Sequence, residues 1–392
     1  MGRLWAMVVC LVGSLLGCGQ TKREPDPILQ FPSVGGSATT GGFSSGGAGA
    51  GGGAGTGGAG GSAGAPVEMQ CAADLNPAPP PPGPVAGDIT AVVPSDGCGR
   101  DYRCEPQVKR TLQTTGAKDA DCADMLDGMH VCGAWSVPRD FWVMLPPGYD
   151  PQKPYPLVIE APGCGGTGAS VYAFDDVRSQ VIRVGISPGP SSTGHATNPE
   201  QGCFDDHEGD DSIDWVFYER LYDRLNDELC FDRRRVFASG DGSGGTIANE
   251  LGCKYAGDPV RPVRGVHAYN SSPPTEPQYL PTCSASPLAG VWVQELMSLE
   301  SPVAGFERNV SRVMAASHCA GGDYDHAQLQ NFPIGGGQPD DECKSIAGCD
   351  ALYPLVVCPL RGSFQSNNPG INNFGFSTFA KLFMREPLLP PQ

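Results

Sequence analysis

The stretch Val236–Cys253, VFASGDGSGGTIANELGC, constrains the fold more than any other part of the chain. An apolar run of strand type, Val236 to Ala238, is followed by Gly240, Gly242, Gly244 and Gly245, and then by TIANELGC, which opens a helix. Glycines this dense between a strand and a helix belong where two backbones come too close for side chains. Other segments supply a sheet around this turn. DFWVMLPPGYD reads as a strand ended by a Pro-Pro-Gly turn, and PYPLVIEAPGCGG as a buried strand, Leu157 to Ala161, opening into a glycine-rich loop. In DWVFYERLYDRLNDELC, Val216, Leu221, Leu225 and Leu229 recur at helical spacing between acids and arginines. LAGVWVQEL and YPLVVCPL read as two further buried strands. Strand and helix in alternation predict an α/β protein with a mostly parallel central sheet flanked by helices, and in such a sheet chemistry sits at the carboxyl ends of the strands.

A Gly-x-Ser-x-Gly turn in this place lifts a nucleophilic serine above the sheet, with N–H groups of the helix N-terminus beside it for an oxyanion. GDGSGG fits that pattern in two registers. With Gly240 and Gly244 as the flanking glycines, the serine position falls on Gly242, which has no side chain to attack with. With Ser243 as nucleophile, Gly245 is the downstream small residue and the upstream one is Asp241, a crowded position whose charge opposes a developing oxyanion. The residues alone leave both registers open. A base for Ser243 would come from His130, His195, His207, His267, His318 or His326. His326 stands beside Asp323 and Asp325, and His195 lies in a loop that can overhang a cleft, but all six read more simply as solvated loop histidines. GDGSGG and AASHC (Ala315–Cys319) are similar to the GDSGG and AAHC of trypsin-like proteases. Each carries an inserted residue, however, and the histidine follows the serine, so that reading is set aside. The acidic run Cys203–Asp214, CFDDHEGDDSID, lacks the D-x-D-x-D-G spacing of a calcium loop and reads as a solvated loop before the helix.

The chain begins MGRLWAMVVCLVGSLLGCGQ, a single Arg3 before an apolar run from Leu4 to Leu16, which is the pattern of a secretory signal peptide. The run is too short to span a bilayer, and its end resembles a bacterial lipobox, so Cys18 is expected to carry the lipid and become the new N-terminus. Residues 1–18 are thus read as signal, 19–66 as a Gly/Ala/Ser-rich tether, 67–94 as a proline-rich spacer around NPAPPPPGP, and 95–392 as one large domain. The tether's core, Gly35 to Gly64, has a typical reach of about 30 Å as a flexible coil. A formal charge of −17 argues against a nucleic-acid partner. Of the 16 cysteines, Cys10 and Cys18 lie in the signal; the remaining even number, exported to an oxidising compartment, reads as disulfides. No CxxC pair occurs and Cys343 and Cys349 have no neighbouring histidine, so no metal site is expected.

From SDGCG at Ser95 to FAKLF at Phe379, the chain resembles the secreted polyhydroxybutyrate depolymerase and feruloyl esterase group of α/β-hydrolases. The resemblance rests on LPPGYDPQKPYPLVIEAPGCGG, on CFDRRRVFASGDGSGGTIANELGC, and on CDALYPLVVCP followed by a glycine and FSTFAKLF. It implies the α/β-hydrolase fold with a disulfide-rich shell. It also selects the first register, placing the family nucleophile on Gly242. The family's His-Gly loop begins here with Pro162 and Gly163, so the N–H groups of Gly163 or Cys164, with that of Ser243, are the implied oxyanion donors. The family histidine falls at Ser363 or Phe364, and the aspartate near Met297 and Ser298, where Glu300 is the sole acid. All three triad positions are then substituted. Cys230 and Cys253, which bracket the turn in the family's arrangement, are expected to form a disulfide.

Three functions stand beside the resemblance. The first is an envelope-tethered hydrolase fold that has lost its triad and binds a small-molecule or polymeric ester, aryl or sugar ligand. The second is an active carboxylic ester hydrolase using Ser243, and the third a structural envelope lipoprotein whose disulfide-rich shell matters more than its cleft. Each is expected to be a monomer without cofactor, reaching the membrane only through its lipid, with the folded domain in the periplasm or at the cell surface.

Overall fold

The computed structural model describes residues 81–85, 91–102, 104, 106–117, 125–126, 129–130, 134–170, 179–189, 202–204, 213–271, 283, 286–295, 306–321, 323–331 and 343–360. The strands in chain order are β1 (Lys109–Ala117), β2 (Met125–Leu126), β3 (Met129–His130), β4 (Ala134–Met144), β5 (Tyr155–Ala161), β6 (Ile182–Ile186), β7 (Phe231–Asp241), β8 (Gly265–Tyr269), β9 (Ala289–Glu295), β10 (Leu329–Asn331), β11 (Lys344–Ile346) and β12 (Leu355–Leu360). The helices are α1 (Ile213–Glu228), α2 (Ser243–Tyr255) and α3 (Phe306–Ala316). Apart from the short β2–β3 hairpin, all strands join one sheet in the order β1-β4-β6-β5-β7-β8-β9-β12-β11-β10.

β6, β5, β7, β8, β9 and β12 run parallel to one another, whereas β4 is antiparallel to both β1 and β6. This order, with an antiparallel second strand and a parallel centre, fits the α/β-hydrolase fold. Both faces of the central strands are covered: every residue of β5, β6 and β8 is buried, the polar Glu160, Arg183 and His267 included. Leu221, Tyr222 and Leu225 of α1, Ile247 and Leu251 of α2, and Val310, Val313 and Met314 of α3 join one hydrophobic core with the strands. Burying each such side chain contributes about 1.5–3 kcal/mol. Val216, placed on the apolar stripe by spacing, is only half-buried.

β7 is longer at its amino end than its apolar sequence predicts, because four charged residues enter it. Asp232, Arg233, Arg234 and Arg235 are all buried. Asp232 bonds Arg235 at 2.8 Å, and Arg233 and Arg234 hold a segment of the expected proline-rich spacer. Val93 N–H donates to Asp232 (3.0 Å), Arg233 N–H donates to the Val93 carbonyl (2.9 Å), and the Arg234 guanidinium donates to the Ala91 carbonyl (3.3 Å). Ser95 continues the strap: its N–H reaches the Phe231 carbonyl and its Oγ accepts from Phe231 N–H, both at 2.9 Å. Residues 91–95 are therefore part of the folded body at the sheet's amino edge.

The expected Cys230–Cys253 disulfide does not form. Cys230 bonds Cys98, and Cys253 bonds Cys283. The reason is geometric: β7 carries the chain about 35 Å away from Cys230, and α2 returns only about 15 Å by Cys253, leaving a gap far beyond the 7 Å limit for bridged Cα atoms. Further bridges join Cys164–Cys203, Cys319–Cys349 and Cys343–Cys358. Cys104 is also disulfide-bonded.

Candidate functional site

The site is built where β7 gives way to α2. Residues Phe231 to Ser239 are buried, and the chain surfaces through Gly240, Asp241 and Gly242 before Ser243 begins the helix. Gly242 takes φ 56° and ψ −120°, a region that residues with a Cβ enter only under strain. It is held there from both sides: its N–H donates to the Tyr269 carbonyl at 2.9 Å and its carbonyl accepts from Thr246 N–H at 3.0 Å.

The neighbouring glycines have different reasons. A Cβ on Gly240 would lie against the Gly244 carbonyl and 2.8 Å from the Ala161 oxygen; one on Gly244 would lie 2.5 Å from the Pro162 oxygen and closer still to Ala161; one on Gly245 would lie 2.8 Å from the Tyr269 oxygen. At Gly242 the nearest atom to an added Cβ is Gly163 Cα at 3.7 Å. The flanking positions where backbone approach forbids a side chain are thus Gly240 and Gly244, and the apex with space above it is Gly242. Ser243 stands one residue beyond the apex, as the first residue of α2.

Ser243 N–H is among the donors at a helix start that have no partner within the helix, and the first turn of α2 contains no acid, so the positive end of its dipole is not neutralised from within the helix. The Ser243 hydroxyl is buried and makes no hydrogen bond. Across from it lies the loop after β5. A Cβ on Gly163 would sit 3.4 Å from the Asp241 carbonyl, and the loop is braced by Gly166 N–H to the Gly163 carbonyl (3.0 Å), Gly165 N–H to the Gly202 carbonyl (2.9 Å) and the Cys164–Cys203 bridge. Of this loop, Gly163 lies nearest the apex, its Cα 3.7 Å from where a Cβ on Gly242 would stand. The half-buried Asp241 stands beside Gly163 and brings a negative charge to it.

Among the histidines, His267 departs from its expected place in a solvated loop. It lies on β8, buried, with Nδ1 3.0 Å from the Ser239 hydroxyl. Desolvation by burial holds its pKa down to about 3, so the ring is neutral. Register pairs Asp241 with Tyr269 and Ser239 with His267, which sets the His267 backbone two residues, about 7 Å, below the level of Asp241. The Ser239–His267 pair is consequently a core hydrogen bond within the sheet. Sequence reasoning missed it; the signal was the strand alternation of GVHAY. His318 is exposed at the end of α3, with φ 53°. Backbone positions alone are described for His130 and His326. His195, His207, Met297, Ser298, Glu300, Ser363, Phe364 and Cys18 lie outside the described residues, as does most of the acidic run. No cluster of potential metal ligands is found among the described residues.

No family model matches the chain. Feruloyl esterase C of Emericella nidulans is 27% identical over 129 residues, which is 31% of this chain and 43% of that enzyme, so the chain spans less than half the length of this curated relative. Among solved structures, a ferulic acid esterase from Anaeromyces mucronatus in complex with ferulic acid is 11% identical, over 76% of this chain and 96% of that one, at a TM-score of 0.36. Esterase 2 of Thermogutta terrifontis, phosphorylated by paraoxon, is 10% identical over 71% and 96%, at 0.41. Such likenesses add nothing about the site, and the fold rests on the strand order itself.

Proposed function

We propose that this chain is a degenerate hydrolase of the feruloyl esterase type: an envelope lipoprotein, anchored through Cys18, whose cleft above the sheet binds an ester, aryl or sugar ligand without cleaving it. The observation that carries this reading is Gly242 at the apex of the turn, in a backbone conformation held by Tyr269 and Thr246, where an added Cβ would make only an ordinary contact, with Gly163 Cα at 3.7 Å. A covalent acyl transfer needs an oxygen or sulfur nucleophile at that point and a base to take its proton. The Ser243 hydroxyl is buried at the start of α2, the Thr246 hydroxyl donates to the Gly242 carbonyl at 3.3 Å, and the described histidine closest to the turn in register, His267, is bonded to Ser239 below it. On this reading the N–H groups of Ser243 and of the Gly163–Cys164 loop are the donors that hold a carbonyl oxygen of the ligand. The similarity to feruloyl esterase C bears on the ancestry of the cleft.

The purified domain, treated with a fluorophosphonate probe and with p-nitrophenyl acetate, tests this beside a Ser243→Ala variant. No labelling, and background turnover unchanged by the substitution, is expected. Labelling or turnover abolished by Ser243→Ala would establish the alternative, an esterase that uses Ser243. For the anchor, Cys18→Ala is expected to move the protein from the membrane fraction to the soluble fraction.

A further inference from the structure

We propose that the outer face of α3 forms a second binding site, separate from the turn at Gly242, for neutral sugar units of a polysaccharide. α3 buries Phe306, Asn309, Val310, Val313 and Met314 and turns Glu307, Arg308, Ser311 and Arg312 outward. After the helix the chain reverses at Gly321 (φ 98°) and returns alongside it. Two contacts hold the returning segment: Tyr324 N–H donates to the Ser311 hydroxyl at 2.8 Å, and the Tyr324 ring packs edge-on against Phe306 with centroids 5.8 Å apart. The Cys319–Cys349 bridge fixes the base of the reversal. Between helix and returning segment lies a groove of about 540 Å³, in the size range of small-molecule sites and of one or two sugar rings. It shares no residue with the turn at Gly242.

The chemistry of the walls points to the ligand class. Arg312 is already held by the Glu250 carboxylate through two bonds of 3.2 Å, so among the other charged groups lining the groove the acids Glu307 and Asp323 outnumber the single cation Arg308. That balance disfavours phosphates, uronates and other anions. Burial, with Glu307 and Asp325 nearby, pushes the Tyr324 hydroxyl up to about 12, so it stays a neutral phenol that both donates and accepts. A planar guanidinium fork, carboxylate acceptors, a phenol and a half-buried ring on one wall suit a ligand with many hydroxyl groups and an apolar C–H face. A neutral sugar unit has both.

The test is saturation-transfer NMR on the full-length protein with xylotriose, cellotriose and N,N′,N″-triacetylchitotriose. Saturable binding of at least one is expected, weakened about tenfold by Tyr324→Ala and by Arg308→Ala, weakened less by Tyr324→Phe, which keeps the ring and loses the hydroxyl, and not displaced by methyl ferulate. No saturable binding would overturn the proposal. So would binding that survives both alanine substitutions, binding that methyl ferulate displaces, or binding of a lysine-rich peptide in place of sugars. Because Arg308 is exposed on the helix surface, its variant stays folded and keeps the test readable if Tyr324→Ala does not.

Discussion

Replacing Gly244 and Gly242 by alanine, one at a time, separates the two ways of aligning GDGSGG by their energetic cost. At Gly244 the new methyl group would lie 2.5 Å from the Pro162 oxygen and nearer still to the Ala161 carbonyl, all of it backbone at the end of β5. Neither side can yield by a rotamer change, so β5 and α2 must move apart. Overpacking of this kind costs about 1–3 kcal/mol and more where it meets rigid backbone, and Gly244→Ala is expected to lose at least about 3 kcal/mol. At Gly242 an added methyl meets nothing closer than 3.7 Å. Only the backbone conformation of φ 56° and ψ −120° is penalised there, at about 1–3 kcal/mol. Urea unfolding with disulfides intact, at unchanged m, should therefore show the larger loss for Gly244→Ala. In a thermal melt the order is the same, at about 2–4 °C per kcal/mol. Equal losses, or a Gly244→Ala variant within about 0.5 kcal/mol of the parent, would refute the assignment of Gly240 and Gly244 as the flanking positions and of Gly242 as the apex.

Acid sensitivity is expected from His267. Its pKa is about 3 in the folded protein against an ordinary 6.5, so between those values the unfolded chain binds a proton that the folded chain does not. Stability then falls as pH drops below 6.5, by up to about 1.4 kcal/mol per unit. Between pH 7 and 4.5 the parent should lose about 2 kcal/mol more than His267→Asn in urea unfolding, and equal losses would remove this explanation. Peptide mapping under nonreducing conditions is expected to recover Cys98–Cys230 and Cys253–Cys283, and a Cys230–Cys253 peptide would contradict the strand and helix lengths that keep those residues apart. Cys98→Ser should cost about 2–4 kcal/mol, because the bridge closes a long loop.

The apolar centre of the sheet was legible without coordinates. β5, β9 and β12 are mainly hydrophobic, α1 carries its apolar residues at helical spacing, and their alternation is enough for a parallel α/β sheet. The elements passed over are those whose polar residues are satisfied by distant partners. β6 carries Arg183, which forms a buried fork with Glu160 of β5 at 2.6 and 2.7 Å. β8 carries His267, satisfied by Ser239 of β7. β1, KRTLQTTGA, is a largely polar strand at the end of the sheet, paired among the described residues with β4 alone. In each case the pattern within the segment is that of a loop, and the compensating group lies on another strand.

The site divides in the same way. A strand, a glycine turn and a helix follow from the residue types of Val236–Cys253 alone, since only glycines tolerate such close backbone approach. Which glycine stands at the apex did not follow, because the answer depends on Ala161, Pro162 and Tyr269, which crowd Gly240, Gly244 and Gly245 and leave Gly242 open. The partners of Cys230 and Cys253 were likewise settled by where β7 and α2 end in space. Local sequence determines which conformations a segment tolerates, and only the packing of segments far apart in the chain decides which of its residues meets which neighbour.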